Sequence, residues 1–313
     1  TPGGGRSGGV ATLSGHTADG GGSPVSVPIL QGLRNVVDQY EGFVVDLWGV
    51  VHNGVTVFPG VVDALERLHA AGKKLVFLSN APRRAHVVAE QLDGFGITEH
   101  LHEGVMSSGE ATWRYLDTRP DDWSKSLGRT CLRIGPERDL GILEGLDLDP
   151  VESVAEADFI LVTGPRDHMN SAEPYDSMLQ EAHAARKRMI CANPDREVIR
   201  GGVRQICAGA IAERYESLGG EVRWYGKPDP TIYNECFRQL HIADRSRILG
   251  IGDSFTTDIK GANAAGLDAL LVARGIHADD LVDTTGTLDG ARIAARADET
   301  GVRLIGAVDA FVW

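Results

Sequence analysis

The chain has 313 residues, of which 42% are hydrophobic and 24% charged, and its formal net charge is −13. This length and composition suit one large α/β domain or two modest ones with a real core. The acidic balance excludes a broad nucleic-acid surface, which needs clustered Lys and Arg. A small anionic substrate stays compatible if a metal or a local basic group offsets the charge.

Residues 1–24 are rich in Gly and Ser and contain no apolar segment. They read as a flexible tail, extending to residue 29, rather than as a secretory signal. Leu30 to Tyr40 reads as a helix leading into the first strand, Phe43-Val44-Val45, which ends at Asp46. Gly49 to Gly60 is turn-rich. Pro59 opens a helix that places Val62, Leu65 and Leu68 on one face, and Gly72 ends it. Lys74 to Leu78 is a strand closed by Ser79-Asn80, followed by a helix from about Ala85 to Leu92.

The middle third repeats the alternation. Cys131–Ile134, Asp158–Val162 and Met189–Ala192 read as strands, with a helix over Pro174–Lys187. Gly201–Leu218 reads as helical in its second half. Val222-Arg223-Trp224-Tyr225 is a strand that runs into Gly226-Lys227-Pro228. The last third gives a helix over Pro230–Leu240, a strand over Arg247–Ile251, a helix across Asp258–Ala265 and a strand over Ala269–Val272. Ala278 to Gly290 reads as a loop. The repeated strand–helix alternation predicts a doubly wound parallel sheet, a Rossmann-like core.

Four cysteines, Cys131, Cys191, Cys207 and Cys236, form no CxxC pair, so buried reduced thiols are expected rather than disulfides or structural zinc. No stretch of about 18 apolar residues suggests a membrane span. With neither a signal nor a disulfide pattern, a cytoplasmic location is expected.

In open α/β sheets ligands bind beyond the carboxyl ends of strands. The residues there are Asp46, Ser79-Asn80, Lys227, and Asp253 with Asp258. Asp46 can be a nucleophile, a base or a metal ligand. A lone Asp after a strand is more often a turn-former or helix cap. Ser79 offers a hydroxyl to a phosphoryl oxygen. Lys227 can neutralise both a carboxylate and a phosphate. Asp253 and Asp258, five residues apart around a strand-to-helix turn, can face one hard cation that prefers oxygen ligands.

In this order, the four points resemble the motifs of the haloacid dehalogenase-like superfamily of aspartate-nucleophile phosphohydrolases. Asp46 matches the first motif, Ser79 the second, Lys227 the third, and Asp253 with Asp258 the acidic fourth. The long gap between Ser79 and Lys227 has room for an inserted cap. Cys191-Ala192-Asn193-Pro194-Asp195, Gly209-Ala210-Ile211-Ala212 and Gly226-Lys227-Pro228 resemble subclass IIA, which has an α/β cap. Ser79-Asn80-Ala81-Pro82-Arg83-Arg84 resembles its pyridoxal-phosphatase-like branch, and Met106 to Thr112 fits the passage from core to cap.

The resemblance implies a core from residues 30–115 and 226–313 and a cap from 116–225. It implies that Asp46 attacks a phosphoryl group and forms an aspartyl-phosphate that water hydrolyses. Mg²⁺ would be held by Asp46, the backbone carbonyl of Trp48 and Asp253. Asp258 would hold metal-bound water or position Lys227. Ser79, Asn80 and Lys227 would bind substrate, together with Asn193 and Asp195 of the cap. The implied substrate is a small phosphorylated metabolite, and the cap is also a dimer surface in the subclass, so a homodimer through it follows by analogy. Further cap contacts are Gly164, Arg166, Asp167 and His168, with Arg83 or Arg84 near the phosphate.

The sequence departs from the family at one point. Two residues after the nucleophile such phosphatases carry a second Asp as general acid, and here Trp48 stands in that place. An indole N–H is no acid at neutral pH. General acid–base catalysis is worth about 10²–10⁴-fold. Three readings follow. The enzyme is slow or specialised for good leaving groups; His52 in the following loop substitutes as acid–base; or hydrolysis is lost and a Mg²⁺- and phosphate-binding module remains for sensing or regulation.

Overall fold

The computed structural model describes residues 26–167, 169–200 and 203–313. Most of the tail expected over residues 1–29 therefore lies outside the described residues. Its last part is no tail. Val27 N donates to Gly290 O at 3.0 Å, and Ile29–Leu30 pairs in parallel with Gly306–Val308. Leu30–Tyr40 is not one helix either. Ile29–Leu30 is an edge strand, and Leu33–Asn35 and Val37–Gln39 are single 3₁₀ turns. The broken geometry buries Leu33, Val36, Val37 and Tyr40 together against the sheet.

Seven parallel strands form the main sheet, in the order Ile29–Leu30, Gly306–Val308, Asp268–Val272, Ile248–Gly252, Gly42–Val45, Lys74–Ser79 and Gly104–Ser107. Successive residues point to opposite faces. Phe43, Val45, Leu75 and Phe77 pack on one side with Val61, Ala64, Leu65 and Leu68 of the helix Val61–Ala70. Val44, Val76 and Leu78 pack on the other with Tyr233, Cys236 and Leu240 of the helix Tyr233–Leu240. Burial of both faces explains why these strands read as continuous apolar runs rather than alternating ones.

A second sheet has five parallel strands, in the order Val222–Trp224, Arg188–Cys191, Phe159–Val162, Thr130–Ile134 and Asp149–Val151. It too is buried on both faces, with Leu132, Ile160 and Met189 on one and Cys131, Phe159, Leu161 and Ile190 on the other. The fold is thus α/β, a Rossmann-like core carrying an inserted α/β cap. All four cysteines are free and buried. Among the described residues no helix is long and apolar enough to cross a membrane.

Gly201–Leu218, read as helical in its second half, holds the helix Ala208–Ser217, and before it lies an antiparallel hairpin that was not foreseen, Glu197–Arg200 with Val203–Ile206. The hairpin stands outside both sheets. The main sheet reverses direction between Gly42–Val45 and Ile248–Gly252. From one the chain winds to Lys74–Ser79 and Gly104–Ser107, and from the other to Asp268–Val272 and Gly306–Val308. Such a switch point opens a crevice at the carboxyl ends of the two strands.

Candidate active site

Asp46 and Asp253 leave the two strands that flank this crevice. Asp46 N donates to Ile251 O at 2.9 Å, so the first strand stays in register with its neighbour up to the carboxylate. After Asp253 the chain enters a π-type turn, Phe255–Ile259, which Ser254 caps by accepting from Thr257 N. Wide turns of this kind recur at functional sites. The turn folds Asp258 back over Gly252, where any Cβ would collide with it. Oδ2 of Asp258 then accepts from Asp253 N at 3.1 Å and Ser254 N at 3.0 Å. Asp253 Oδ2 accepts from Ile276 N at 2.8 Å.

Lys227 arrives from the second sheet and is 3% exposed. Its Nζ donates to Asp46 Oδ1 at 2.6 Å and to Leu78 O at 2.9 Å. Asp258 Oδ1 stands 2.6 Å from the same nitrogen, as an ionic contact without hydrogen-bond alignment. Burial alone would lower the lysine pKa, but Asp258 and then Asp46 raise it well above its ordinary value, so Lys227 is a fixed cation. Burial pushes Asp46 upward, the charge of Asp258 adds to this, and Lys227 opposes both.

Asn80 ties the cluster together. Its Oδ1 accepts from Lys227 N at 2.8 Å and from Ser108 Oγ at 3.0 Å. Its Nδ2 donates to Asp195 Oδ1 at 2.8 Å and to Lys227 O at 3.2 Å. Gly226, at φ +133, lets the chain pass this close, since a Cβ there would strike Ser108 and Asn80. Ser79 Oγ accepts from Ala81 N at 3.1 Å and lines the same cavity.

Asp46, Asp253 and Asp258 bring carboxylate oxygens within 4.8 Å of one another, all buried. Three hard oxygen donors facing a single lysine fit a small divalent cation, and repulsion among them would be relieved by one. The cavity above them measures about 1570 Å³ and is also lined by Trp48, Gly164, Arg166, Asp167, Asn193 and Asp195. The structure thus brings the expected core residues and cap residues to one place. His168 lies outside the described residues.

Two expectations need correction. His52 does not line the cavity; it is 3% exposed, wedged between Trp48 and Phe95, and its Nδ1 accepts from Gly54 N at 2.9 Å. Burial, helped by the charge of Arg83, lowers its pKa to about 4. A neutral imidazole packed under the loop cannot replace the missing acid at neutral pH. Arg84 is likewise a structural group. It pairs with the buried Glu110 at 2.7 Å and stacks on Trp113.

Sequence reasoning missed the reach of Trp48. Its Nε1 donates to Ile199 O in the cap hairpin at 3.0 Å, a contact between residues 151 apart. The ring lies on Gly54, at φ +85, where a Cβ would collide with it. Position Asp46 plus two was visible as unusual, but the hairpin it touches was not read as one.

A family model described as "Haloacid dehalogenase-like hydrolase" matches residues 43–149, and one described as "HAD-hyrolase-like" matches residues 224–297. Chronophin of Bos taurus is 30% identical over 258 residues, spanning 78% of this chain and 84% of that protein. The chain belongs to the haloacid dehalogenase-like hydrolases. Within them it falls in subclass IIA. The ribonucleotide monophosphatase NagD of Escherichia coli is 26% identical over 257 residues, spanning 80% of this chain and 92% of that one. A haloacid dehalogenase-like hydrolase of Brucella suis, known by crystal structure, is 36% identical and superposes with a TM-score of 0.77 over 90% of this chain and all of that one.

Proposed function

We propose that this chain is a phosphatase that hydrolyses a small phosphorylated metabolite through an aspartyl-phosphate on Asp46. The observation that carries the reading is the buried Asp46 carboxylate at the floor of the cavity. It is held 2.6 Å from Lys227, beside Asp253 and Asp258. Chronophin and NagD, named for phosphatase activity in the second case, are relatives of the same family.

An Asp46 oxygen attacks phosphorus in line, the bond from phosphorus to the leaving oxygen breaks, and water later releases phosphate and restores Asp46. Lys227 holds the attacking carboxylate in place and offers positive charge to the phosphoryl oxygens. Ser79 supplies a hydroxyl to the same oxygens. Phosphoryl transfer depends chiefly on such positioning and charge stabilisation. Asp46, Asp253 and the Trp48 carbonyl would hold Mg²⁺, which supplies charge screening between carboxylate and phosphate. Asn193 and Asp195 would contact the leaving group from the cap.

The leaving oxygen needs a proton unless it departs as a stable anion. Trp48 has none to give, because its only polar hydrogen is committed to Ile199 O. The reading is therefore an enzyme specialised for good leaving groups or slow on alkyl phosphates. With Mg²⁺, p-nitrophenyl phosphate and acetyl phosphate should turn over, glucose 6-phosphate poorly, and EDTA should stop all three. Trp48→Asp should raise sugar-phosphate turnover by about a hundredfold or more, the lower end of the range of general acid catalysis. Equal turnover of all three substrates by the native enzyme would contradict the specialised chemistry. Binding of Mg²⁺ and phosphate without turnover of any of them would favour a sensing module instead.

A further inference from the structure

Several arginines line the cavity in a chain whose net charge is −13. Three of them are already neutralised. Arg196 pairs with Glu213 at 2.5 Å, Arg274 with Asp309 at 2.7 Å, and Arg296 with Glu299 at 2.9 Å. Arg83, Arg138 and Arg200 differ. Arg83 is partly buried, and its guanidinium donates to the neutral Gln91 at 2.8 Å. Arg138 reaches a carboxylate, that of Asp139, only at 4.0 Å. Arg200 has no carboxylate partner among the described residues.

These three come from distant parts of the chain. Arg83 follows the strand Lys74–Ser79, Arg138 sits in the 3₁₀ segment Glu137–Leu143 of the cap, and Arg200 ends a hairpin strand. They nevertheless line one cavity, with Asp139 beside them. Burial lowers the Arg83 pKa, and the like charges of Arg138 and Arg200 lower it further, with Asp139 the opposing charge. Three cations beside one buried carboxylate leave an excess of positive charge, with Arg83 and Arg200 partly buried and Arg138 exposed at the rim. Such an excess is costly without an anion and well suited to one, because guanidinium forks match carboxylate and phosphate oxygens. Among the described residues none of the three arginines is paired with Asp46 or Asp258, which hold Lys227 in the same cavity.

We propose that Arg83, Arg138 and Arg200 form a second anion site, so that the substrate is a phosphate ester whose leaving group carries its own carboxylate or phosphate. This rests on the reading that the Asp46 end receives the transferred phosphoryl group. The arrangement also fits the missing acid, since binding energy from a remote anion can be used to orient the reacting bond.

The test is calorimetric binding to the Asp46→Asn protein with Mg²⁺, using matched ligand pairs. One pair is 3-phosphoglycerate against glycerol 3-phosphate, which adds a carboxylate. The other is fructose 1,6-bisphosphate against fructose 6-phosphate, which adds a phosphate. In at least one pair the doubly anionic ligand should bind about tenfold tighter or more, and which pair does so identifies the anion. Arg83→Gln with Arg200→Gln should reduce that preference to within about threefold. Arg138→Gln, at an exposed position that costs no packing, should reduce it in part and guards against a folding failure in the double variant. Equal affinities within both pairs, or a preference that survives all three substitutions, would overturn the proposal. A native enzyme that shows the anion preference yet never hydrolyses p-nitrophenyl phosphate would instead remove the phosphatase reading and leave the anion site standing.

Discussion

Asn80 uses both of its polar atoms twice, joining the loop after one core strand to Lys227, Ser108 and Asp195. Truncating it leaves the Lys227 N–H buried without a partner, a loss of about 1–3 kcal/mol. Asn80→Ala should therefore lower the melting temperature and reduce kcat together, because the lysine that orients Asp46 loses its anchor. An unchanged melting temperature would deny Asn80 this role. Asp46, Lys227 and the pair Asp253 and Asp258 were legible because each closes an apolar run or sits beside one. The partners of Asn80 were not, since Ser108 and Asp195 lie far away in sequence and meet it only in the fold.

At the scale of elements, the loop from Leu47 to Phe58 and the hairpin Glu197–Arg200 with Val203–Ile206 meet through Trp48. Trp48→Phe removes one hydrogen bond worth about 1 kcal/mol. Amide exchange should then speed up across the hairpin while the core strands stay protected; unchanged exchange there would contradict the contact. The same loop carries His52, neutral in the fold with a pKa of about 4 against an ordinary 6.5. The unfolded chain takes up a proton that the native loop refuses. Stability from this residue is complete above pH 6.5 and is lost as the pH falls toward about 4, by about 3 kcal/mol in all. His52→Gln should flatten the fall in melting temperature between about pH 7 and about pH 5. An unchanged slope would place the acid sensitivity elsewhere. The hairpin escaped sequence reading because its four-residue strands are only half-buried and lack an apolar face. The two-residue edge strand Ile29–Leu30 is too short to leave any period.

For the whole molecule, the parallel alternation and the cap insertion were visible as a rhythm of apolar runs and turn residues. Which strands are neighbours was not, and the active site depends on it. Asp46 and Asp253 are far apart in sequence, yet the switch in winding direction sets their strands side by side. The arginine cluster is equally non-local, drawn from core, cap and hairpin. Gathering three buried carboxylates beyond the ends of two neighbouring strands with Lys227 alone to offset them is unfavourable, so Mg²⁺ should raise the melting temperature of the native protein. Asp253→Asn should abolish most of that rise; a Mg²⁺ response of native size in this variant would move the metal elsewhere.

The central claim is that Asp46 carries the phosphoryl group. It is tested most directly by acid-quenching the enzyme during turnover of radiolabelled acetyl phosphate with Mg²⁺ and mapping the label by mass spectrometry. The account predicts a phosphoenzyme labelled on Asp46, absent in Asp46→Asn and absent with EDTA. Turnover without any label on Asp46, or undiminished turnover by Asp46→Asn, would contradict it.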